Sequence, residues 1–303
     1  CNYRCVYCMP EDGIEWIPHE RIISYEEIIL LARVLKDLGV EKIRFTGGEP
    51  LVRKGFFQFL DDLKKQVPGI RTVLTTNGSL IRTYFQQITK SPLSGVNISL
   101  DTLNPDLFRL ITRNGSLEEV TSGIRMLSQQ RNMPIKLNTV LMKGINDEEV
   151  PALVDFAHEI GVQLRLIEFM PLDDSVWKGD LFVAASEIFG KLPEPFRWIR
   201  QDNSGDHSAG PAKYYRNSRT GQNLGIIESV SHHFCESCNR LRVSATGVLR
   251  PCLFSEVGVD LRHALKEGDP EKIKMLILEG ALKKPKSLKE LAASSTHMSR
   301  IGG

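Results

Sequence analysis

The sequence has no run of about twenty apolar residues, so it predicts no helix that could cross a membrane. It also lacks an excess of charge of one sign. Lys and Arg total 39 and Asp and Glu total 37, and the net charge of +2 argues against a protein that coats nucleic acid. No signal peptide is recognisable, although a chain that starts at Cys1 without methionine leaves room for a targeting segment upstream.

Cysteine is scarce, at 6 of 303 residues, and none lies between positions 8 and 235. The six form two triads with the spacings C-x3-C-x2-C and C-x2-C-x13-C: Cys1, Cys5 and Cys8, then Cys235, Cys238 and Cys252. Disulfides explain this poorly, because a chain of this length can bury a large core without them. Thiolates at metal-ligand spacing indicate two metal clusters in a reducing interior, so we expect a cytoplasmic protein, or one of the mitochondrial matrix if the source is eukaryotic.

Each triad supplies three thiolates, whereas a closed structural metal site uses four ligands. An iron–sulfur cubane held by three thiolates keeps one iron free for another ligand, which indicates chemistry rather than scaffolding. Structural zinc is the alternative for the first triad. Its nearest candidate fourth ligand, His19, lies in a polar, proline-flanked stretch that is typical of a solvated loop, so three thiolates suit zinc badly.

From about residue 24 to 172 the sequence alternates amphipathic helices with short apolar strands. Ser24 and Glu27 form a capping box before the first helix, and Gly39 ends it. Further helices are predicted at 117–130 and 147–160, and strands at 42–45, 73–76, 96–100, 136–142 and 163–169. This alternation predicts an α/β fold with a parallel sheet and helices outside, most simply a barrel or part of one.

After Leu172 the alternation stops. The rest of the chain predicts a smaller α+β region with two hairpins and two helices, at 212–229, 240–252, about 257–267 and 270–283. We therefore expect two domains, 1–172 and 173–303, of which the second carries the second triad and closes the open side of the barrel. Parallel α/β sheets place functional residues at the carboxyl ends of their strands, where this sequence has polar stretches at 46–50, 75–78 and 99–101.

C-x3-C-x2-C with an aromatic residue before the third cysteine, here Tyr7, resembles the signature of the radical S-adenosylmethionine (SAM) enzymes. Thr-Gly-Gly-Glu-Pro at 46–50 resembles the glycine-rich turn of that superfamily. The second triad, the Asn-Arg-Leu-Arg that follows Cys238, and the terminal Gly302–Gly303 narrow the resemblance to the GTP 3′,8-cyclase family of molybdenum cofactor biosynthesis. The likeness runs along the whole chain.

The resemblance implies a partial (β/α)6 radical-SAM barrel whose first strand would lie just upstream of Cys1, with the C-terminal α+β region carrying a second cluster. It implies a lyase that converts GTP to (8S)-3′,8-cyclo-7,8-dihydroguanosine 5′-triphosphate, the first step of molybdenum cofactor (molybdopterin) biosynthesis. The cofactors would be SAM and two 4Fe–4S clusters, one on each cysteine triad. Hydrogen would be taken from the ribose C3′, which then attacks purine C8, while the second cluster binds the guanine base.

Carried over residue by residue, the resemblance assigns SAM contacts to Tyr7, Gly48, Ser99 and Met170. It assigns GTP contacts to Arg44, Thr75, Lys136, Arg240, the backbone of Leu241, and Arg242. The Gly302–Gly303 tail would reach into the active site as part of the catalytic machinery, because glycine is slim enough to enter beside substrate. The family also has a GTP-binding arginine before the first cysteine. That arginine is absent from the chain as given, so we expect incomplete phosphate contacts here.

Charge gives independent support for an anionic substrate at two pairs of residues. Arg240 and Arg242 would share one face of a strand beside the second triad, where their guanidinium groups can hold phosphate. Arg44 and Lys136 would point into the barrel, where a cation is unfavourable unless it meets an anion. On its own, Met170 is more typical of core packing.

The resemblance further implies a one-electron reductant, a downstream pyranopterin-forming enzyme and, as one option, a homodimer, but no nucleic-acid or membrane partner. Two other hypotheses stay open at this point. One is a radical enzyme of the same superfamily with an auxiliary cluster and a peptide substrate. The other is a zinc-stabilised binding module, which would be colourless and redox-silent.

Overall fold

The computed structural model describes residues 1–15, 17–130, 133–171, 179–201, 210–255 and 257–287. Within them the α-helices are α1 (Tyr25–Asp37), α2 (Phe56–Gln66), α3 (Phe85–Lys90), α4 (Pro105–Thr112), α5 (Leu117–Gln130), α6 (Val150–Glu159), α7 (Ala185–Lys191), α8 (Arg262–Glu267) and α9 (Pro270–Leu282). The strands are β1 (Lys42–Phe45), β2 (Arg71–Thr76), β3 (Gly95–Ser99), β4 (Ile135–Leu141), β5 (Gln163–Glu168), β6 (Trp198–Arg200), β7 (Lys213–Asn217), β8 (Asn223–Ile227), β9 (Arg242–Val243), β10 (Val248–Arg250) and β11 (Val259–Asp260).

The main sheet of the described chain has the strand order β1-β2-β3-β4-β5-β8-β7-β6. Strands β1 to β5 and β8 run parallel, and β7 and β6 continue the sheet antiparallel. Helices fill the crossovers between the parallel strands, as expected for right-handed βαβ units. The expected parallel sheet of a partial barrel is confirmed, with a smaller sheet, β11-β10-β9, in the C-terminal part.

Alternating side chains divide the main sheet into an outer apolar face and an inner polar face. On β4, Ile135, Leu137 and Leu141 are buried in the core, while Lys136 and Asn138 between them are half-buried. A strand directs successive side chains to opposite faces, so the apolar set packs under the helices and the polar set faces the lumen. The lumen face of β4 therefore carries the polar side chains Lys136 and Asn138, where they can meet a ligand.

The five predicted parallel strands and the helix at 117–130 are confirmed, with strand ends shifted by one or two residues. Ser24 and Glu27 form the expected capping box at the start of α1. The helix predicted at 147–160 differs at its start, where Asp147–Glu149 forms a 3-10 turn and α6 begins at Val150. Proline in the first turn of α6 has no N–H to donate, which suits a helix start at that point.

Both predicted hairpins form, but the first is part of the main sheet and does not form a sheet of its own. Its strand β8 pairs parallel with β5 and becomes a sixth parallel strand, so the main sheet continues past residue 172. The helix predicted at about 257–267 is shorter, because Val259–Asp260 pairs with β10 and α8 begins only at Arg262. The division into domains at 172 and 173 stays a prediction.

The C-terminal layer packs against the outside of α1. Ile23, Leu31 and Val34 share an apolar cluster with Leu249 of β10 and Ile277 of α9. Helix α9 lies so close to β10 that a Cβ at its Gly280 would come within 2.5 Å of a Leu249 methyl group. No helix of the described residues is long and apolar enough to span a bilayer.

Replacing Leu137 with Ala should lower the free energy of unfolding by about 2–5 kcal/mol, because Leu137 is fully buried on a central strand and its removal leaves a cavity. Urea denaturation followed by circular dichroism measures this change. Ile199→Ala, on edge strand β6 with 56% of its side chain exposed, is the control and should change stability by only about 0.5 kcal/mol. Equal losses in the two variants would contradict the assigned core.

Candidate active site

The first cysteine triad lies in a loop that backbone hydrogen bonds hold against the end of α4. Val6 N donates to Ile111 O at 2.9 Å, and Cys8 N and Met9 N both donate to Cys5 O at 3.0 Å. The second pair of bonds closes a turn around Cys5. The loop is thus ordered by backbone contacts that do not involve the thiols.

Arg113 joins the two ends of this loop. Its Nη1 donates to Arg4 O at 2.7 Å and to Met9 O at 3.0 Å. Arg113 itself has φ of 64°, an uncommon backbone conformation for a residue other than glycine, and it directly follows α4. Sequence reasoning missed Arg113, because no motif in the residues around it predicts hydrogen bonds to carbonyl groups about a hundred positions earlier in the chain.

The glycine-rich turn at 46–50 lies against the first cysteine. A Cβ at Gly48 would come within 2.5 Å of Cys1 N and 2.8 Å of Cys1 Cβ, so only glycine fits there. The next residue, Glu49, is buried and accepts hydrogen bonds from Thr76 Oγ1 at 2.9 Å and Asn77 N at 2.7 Å. Burial raises the pKa of Glu49, although these donors oppose the shift. The ends of β1 and β2 are thereby tied together beside Cys1.

Tyr7 is anchored to the end of β3. Its hydroxyl donates to Asp101 Oδ2 at 2.6 Å, and Asp101 Oδ1 accepts from Val140 N at 2.9 Å. Burial raises the pKa of Asp101 to about 6, against the lowering effect of these two hydrogen bonds. The aromatic ring before Cys8 is therefore held in one place by Asp101, which follows half-buried Ser99 by two residues at the end of β3.

Polar side chains line up across the lumen. Thr75, Asn97 and Lys136 occupy paired register positions on β2, β3 and β4. Asn97 Nδ2 donates to Thr75 Oγ1 at 3.1 Å, and Asn97 Oδ1 accepts from Arg165 Nη2 of β5 at 3.3 Å. The structure thus places two predicted site residues, Thr75 and Lys136, in register with Asn97, and adds Arg165, which sequence reasoning did not name.

Four arginines converge near the lumen mouth. Arg44 is exposed as a whole residue, but nearby protein partly desolvates its guanidinium group, and Arg165, Arg240 and Arg242 lie close enough to repel its charge. Together these effects lower the pKa of Arg44 to about 10. Burial and the neighbouring Arg240 lower the pKa of Arg242 likewise to about 10. Such crowding of like charge is unfavourable without an anion, and guanidinium groups match phosphate well.

The prediction that Arg240 and Arg242 share one strand face is only half right, because β9 begins at Arg242. The two nevertheless reach the same place, since both lie near Arg44. Leu241 between them packs its side chain against the C-terminal apolar cluster, which leaves its backbone as the part able to contact a ligand. Met170 lies half-buried just beyond the end of β5.

Arg165 has a buried hydrogen-bond donor that no described residue pairs with, which indicates a site for a polar ligand. It is 5% exposed, and its Nε, like the Oδ1 of neighbouring Asn138, is buried with no hydrogen-bond partner among the described residues. Buried polar atoms are nearly always satisfied, so two orphans on adjacent strands of a polar lumen fit a polar ligand. Arg165 lies between Leu164 and Leu166 in the sequence of β5. This alternation of an arginine with apolar residues could have indicated a cation on the lumen face.

The second triad lies in the segment between β8 and β11. Cys238 N donates to Cys235 O at 3.1 Å, and Lys284 Nζ donates to Arg240 O at 2.6 Å and to Pro251 O at 2.9 Å. Lys284 thus clamps the chain after Cys238 to the chain before Cys252, a role that its sequence position did not suggest. Burial opposes it, but a backbone hydrogen bond from Arg240 and the charge of Arg240 lower the pKa of Cys238 overall.

The thiols of the first triad fit a metal cluster, which the chemistry of buried thiols supports. All six cysteines are free thiols. Burial raises the pKa of Cys5 well above its usual range and that of Cys8 to about 11, and bound metal would remove these protons outright. Among the described residues no group of three or more His, Cys, Asp or Glu side chains is placed to hold one metal ion. A cubane distributes its three thiolates over three irons, so this finding concerns single-ion sites only.

Comparison with known proteins agrees with this geometry. Residues 1–157 match the radical SAM superfamily, and residues 162–290 match the Molybdenum Cofactor Synthesis C family. A GTP 3′,8-cyclase of Thermodesulfovibrio yellowstonii is 40% identical over 306 residues, covering 100% of this chain and 94% of the relative. A GTP 3′,8-cyclase of Peptoclostridium acidaminophilum is 40% identical over 307 residues, covering 100% and 92%.

This chain belongs to the GTP 3′,8-cyclase family of the radical SAM superfamily.

Solved structures support the fold. SuiB of Streptococcus suis, bound to its precursor peptide SuiA, is similar with a TM-score of 0.65 and 16% identity, covering 94% of this chain and 64% of that one. Native anSMEcpe with bound AdoMet is similar with a TM-score of 0.62 and 15% identity, covering 96% and 79%. At such identities the likeness concerns the fold alone.

Membership of the radical SAM superfamily implies a 4Fe–4S cluster and SAM, and the ordered Cys1–Cys8 loop fits a cluster. It also excludes the hypothesis of a zinc-stabilised binding module. The residue roles taken from the resemblance stay predictions. Gly302 and Gly303, the expected catalytic tail, lie outside the described residues.

Gly48→Ala should reduce the iron that the first triad binds, because the new Cβ would come within 2.5 Å of the Cys1 backbone nitrogen and would displace Cys1. Iron and sulfide analysis after anaerobic reconstitution measures this. Gly190→Ala in α7 is the matched control, since a Cβ there meets nothing within 4 Å. Full iron content in Gly48→Ala would contradict the close approach.

Arg165→Met should weaken binding of inorganic tripolyphosphate about 10-fold or more, because a buried charge-assisted hydrogen bond is worth roughly 1.5–3 kcal/mol. The same substitution should change the free energy of unfolding little, because the lost hydrogen bond to Asn97 is offset by removal of a desolvated cation that lies near Arg44. Calorimetric titration and urea denaturation separate the two effects. Arg216→Met, an exposed arginine of β7, is the control and should leave binding unchanged.

Proposed function

We propose that this protein is a GTP 3′,8-cyclase, a lyase that converts GTP to (8S)-3′,8-cyclo-7,8-dihydroguanosine 5′-triphosphate in the first step of molybdenum cofactor biosynthesis. Full-length relatives of that name at 40% identity support the proposal. So does the presence of both family regions, the radical SAM region and the Molybdenum Cofactor Synthesis C region, in one chain.

The observation that carries the proposal is the convergence of Arg44, Arg165, Arg240 and Arg242 at the lumen mouth. Two of these arginines belong to barrel strands and two follow Cys238, so the cationic site is assembled from both halves of the chain. Repulsion among the four would be relieved by a ligand of high negative charge, such as a triphosphate. A neutral peptide would not relieve it, which favours a nucleotide substrate over the peptide alternative.

In this proposal Cys1, Cys5 and Cys8 hold the first 4Fe–4S cluster, beside which Tyr7, Gly48, Ser99 and Met170 contact SAM. When bound, cluster and SAM supply the one-electron chemistry that removes a hydrogen atom from an unreactive substrate C–H bond. The chain positions these groups. Tyr7 is fixed by Asp101, and the Gly48 backbone is fixed by the hydrogen bonds of Glu49.

Cys235, Cys238 and Cys252 hold a second 4Fe–4S cluster in this proposal, one that binds the guanine base. The triphosphate is held by Arg44, Lys136, Arg165, Arg240 and Arg242, with Thr75 and the Leu241 backbone completing the GTP contacts. Lys136 suits this role because its side chain lies on the lumen face of β4. Its Nζ is 6.0 Å from the centroid of the Tyr214 ring. The Gly302–Gly303 tail would enter the site beside the substrate.

The reaction needs a one-electron reductant, and its product needs a downstream enzyme that forms the pyranopterin. We propose both as partners, together with a homodimer as the assembly. The six free thiols fit a reducing compartment, for which we propose the cytoplasm.

The proposal is tested with anaerobically reconstituted protein, SAM and a chemical reductant, in the presence of GTP or of ATP. We expect GTP-dependent 5′-deoxyadenosine and a nucleotide product isomeric with GTP, both measured by mass spectrometry. ATP should support neither, because it lacks the guanine base. Cleavage of SAM at the same rate with either nucleotide would keep the radical SAM assignment and overturn GTP as substrate.

Cys252→Ala should lower cyclised product by at least about 100-fold, because misplacing the base moves the reacting carbon out of reach. The variant should also bind about four iron atoms where the wild type binds about eight, since one cubane carries four irons. Mössbauer spectroscopy and iron analysis provide the count. A wild-type protein with only about four irons that still cyclises GTP would refute the second cluster.

A further inference from the structure

Glu168, the last residue of β5, is a buried carboxylate that neither the motifs nor the proposed substrate contacts use. Its side chain is 0% exposed. It shares the outer face of β5 with Leu164 and Leu166, which belong to the apolar core, so it points away from the lumen. A carboxylate in such surroundings is unfavourable unless several donors surround it.

Four donors meet the two oxygens of Glu168. Oε1 accepts from Ala185 N at 2.9 Å and from Ser231 Oγ, and Oε2 accepts from Val230 N at 2.8 Å and Ser231 N at 2.9 Å. The backbone of Glu168 adds a fifth bond, since its carbonyl accepts from Ser229 Oγ at 3.2 Å. A carboxylate accepts at both oxygens, so this arrangement suits Glu and does not suit Gln, whose amide nitrogen would face donors.

These contacts join the first half of the chain to the segment that enters the second triad. Met170 follows Glu168 by two residues, which is a reach of at most about 7 Å, and Cys235 follows Ser231 by four, at most about 14 Å. Because Met170 lies just beyond the end of β5, these short connections mean that the Glu168 contacts fix the position of Cys235 relative to Met170. A hydrogen-bonded carboxylate is more directional than the apolar packing around it.

We infer that Glu168 is a positioning residue that fixes the second cysteine triad relative to the end of β5, and so fixes substrate relative to SAM. The inference rests on the proposed function for its kinetic consequence, because only a substrate held at the second triad would be displaced. The structural part stands without it. Loss of the carboxylate should release residues 229–231 while the barrel and its first triad stay intact.

The test uses Glu168→Gln in the anaerobically reconstituted full chain. Hydrogen–deuterium exchange in the peptide that spans residues 228–236 should speed up at least about 10-fold at the Val230 and Ser231 amides, because local opening then needs less free energy. With GTP present, 5′-deoxyadenosine formed per cyclised product should rise, and kcat for cyclisation should fall roughly 10- to 100-fold. Binding of SAM should stay unchanged.

Two further variants keep the test decisive if Glu168→Gln fails to fold. Ser231→Ala removes only the hydroxyl donor on the side of the second triad, and it should shift exchange and product ratio in the same direction by a smaller factor. Glu228→Gln is the matched control. Glu228 is also buried in this segment, but its partners are Lys213 and His232, so its loss leaves the Glu168 contacts in place.

Faster exchange at 230 and 231 together with a raised ratio in Glu168→Gln or Ser231→Ala, and neither in Glu228→Gln, supports the inference. Unchanged exchange and ratio in folded Glu168→Gln would overturn it. An equal rise in ratio in Glu228→Gln would also overturn it, because the effect would then reflect general loosening of the segment. If wild-type protein does not act on GTP, the proposed function fails, and the exchange data alone decide whether Glu168 holds the segment.

Discussion

The parallel pairing of β5 with β8 joins the two halves of this chain, and the arrangement of the candidate site depends on it. Leu164 to Ile167 pair with Leu224 to Ile227, which makes a strand from the C-terminal half a continuation of the barrel. Gly225 lies opposite Arg165 in this register. A Cβ at Gly225 would come within 2.9 Å of the Tyr214 ring and 3.1 Å of Arg165 Cγ, so glycine on β8 leaves the space that the buried arginine occupies.

The fold holds four arginines close together, although repulsion among their positive charges lowers the stability of the protein without ligand. Desolvation lowers the pKa values of Arg44, Arg165 and Arg242, and repulsion by neighbouring arginines adds to the shift at Arg44 and Arg242, which means that the charged forms are disfavoured where they stand. Such strain is common at sites that bind a charged ligand, since the ligand supplies the compensating charge. Affinity for an anion and stability of the empty protein are therefore opposed at these positions.

Three buried carboxylates at the ends of alternate strands hold the segments that form the candidate site. Glu49 follows β1, Asp101 follows β3 and Glu168 ends β5, and each accepts a hydrogen bond from a backbone N–H of a neighbouring segment: Asn77 after β2, Val140 in β4 and Val230 after β8. Glu49 thereby supports the glycine turn beside Cys1, Asp101 holds the Tyr7 hydroxyl, and Glu168 holds the segment that leads to Cys235. Backbone amides aimed at a buried carboxylate restrict a loop without adding a cation to a region already rich in arginine.

The sequence by itself determined the local features of this protein. Cysteine spacing, the Gly-Gly turn and the alternation of helix and strand depend on residues close together in the chain, so both triads, the five barrel strands and the polar strand ends could be predicted. Only the tertiary structure decided the rest, because it depends on pairings between distant segments. The addition of β8 to the sheet, the convergence of Arg165 with Arg240, and the Glu168 contacts with Val230 and Ser231 all join residues more than fifty positions apart. No local pattern encodes such contacts, since they form only when packing brings the strand ends to one edge of the barrel.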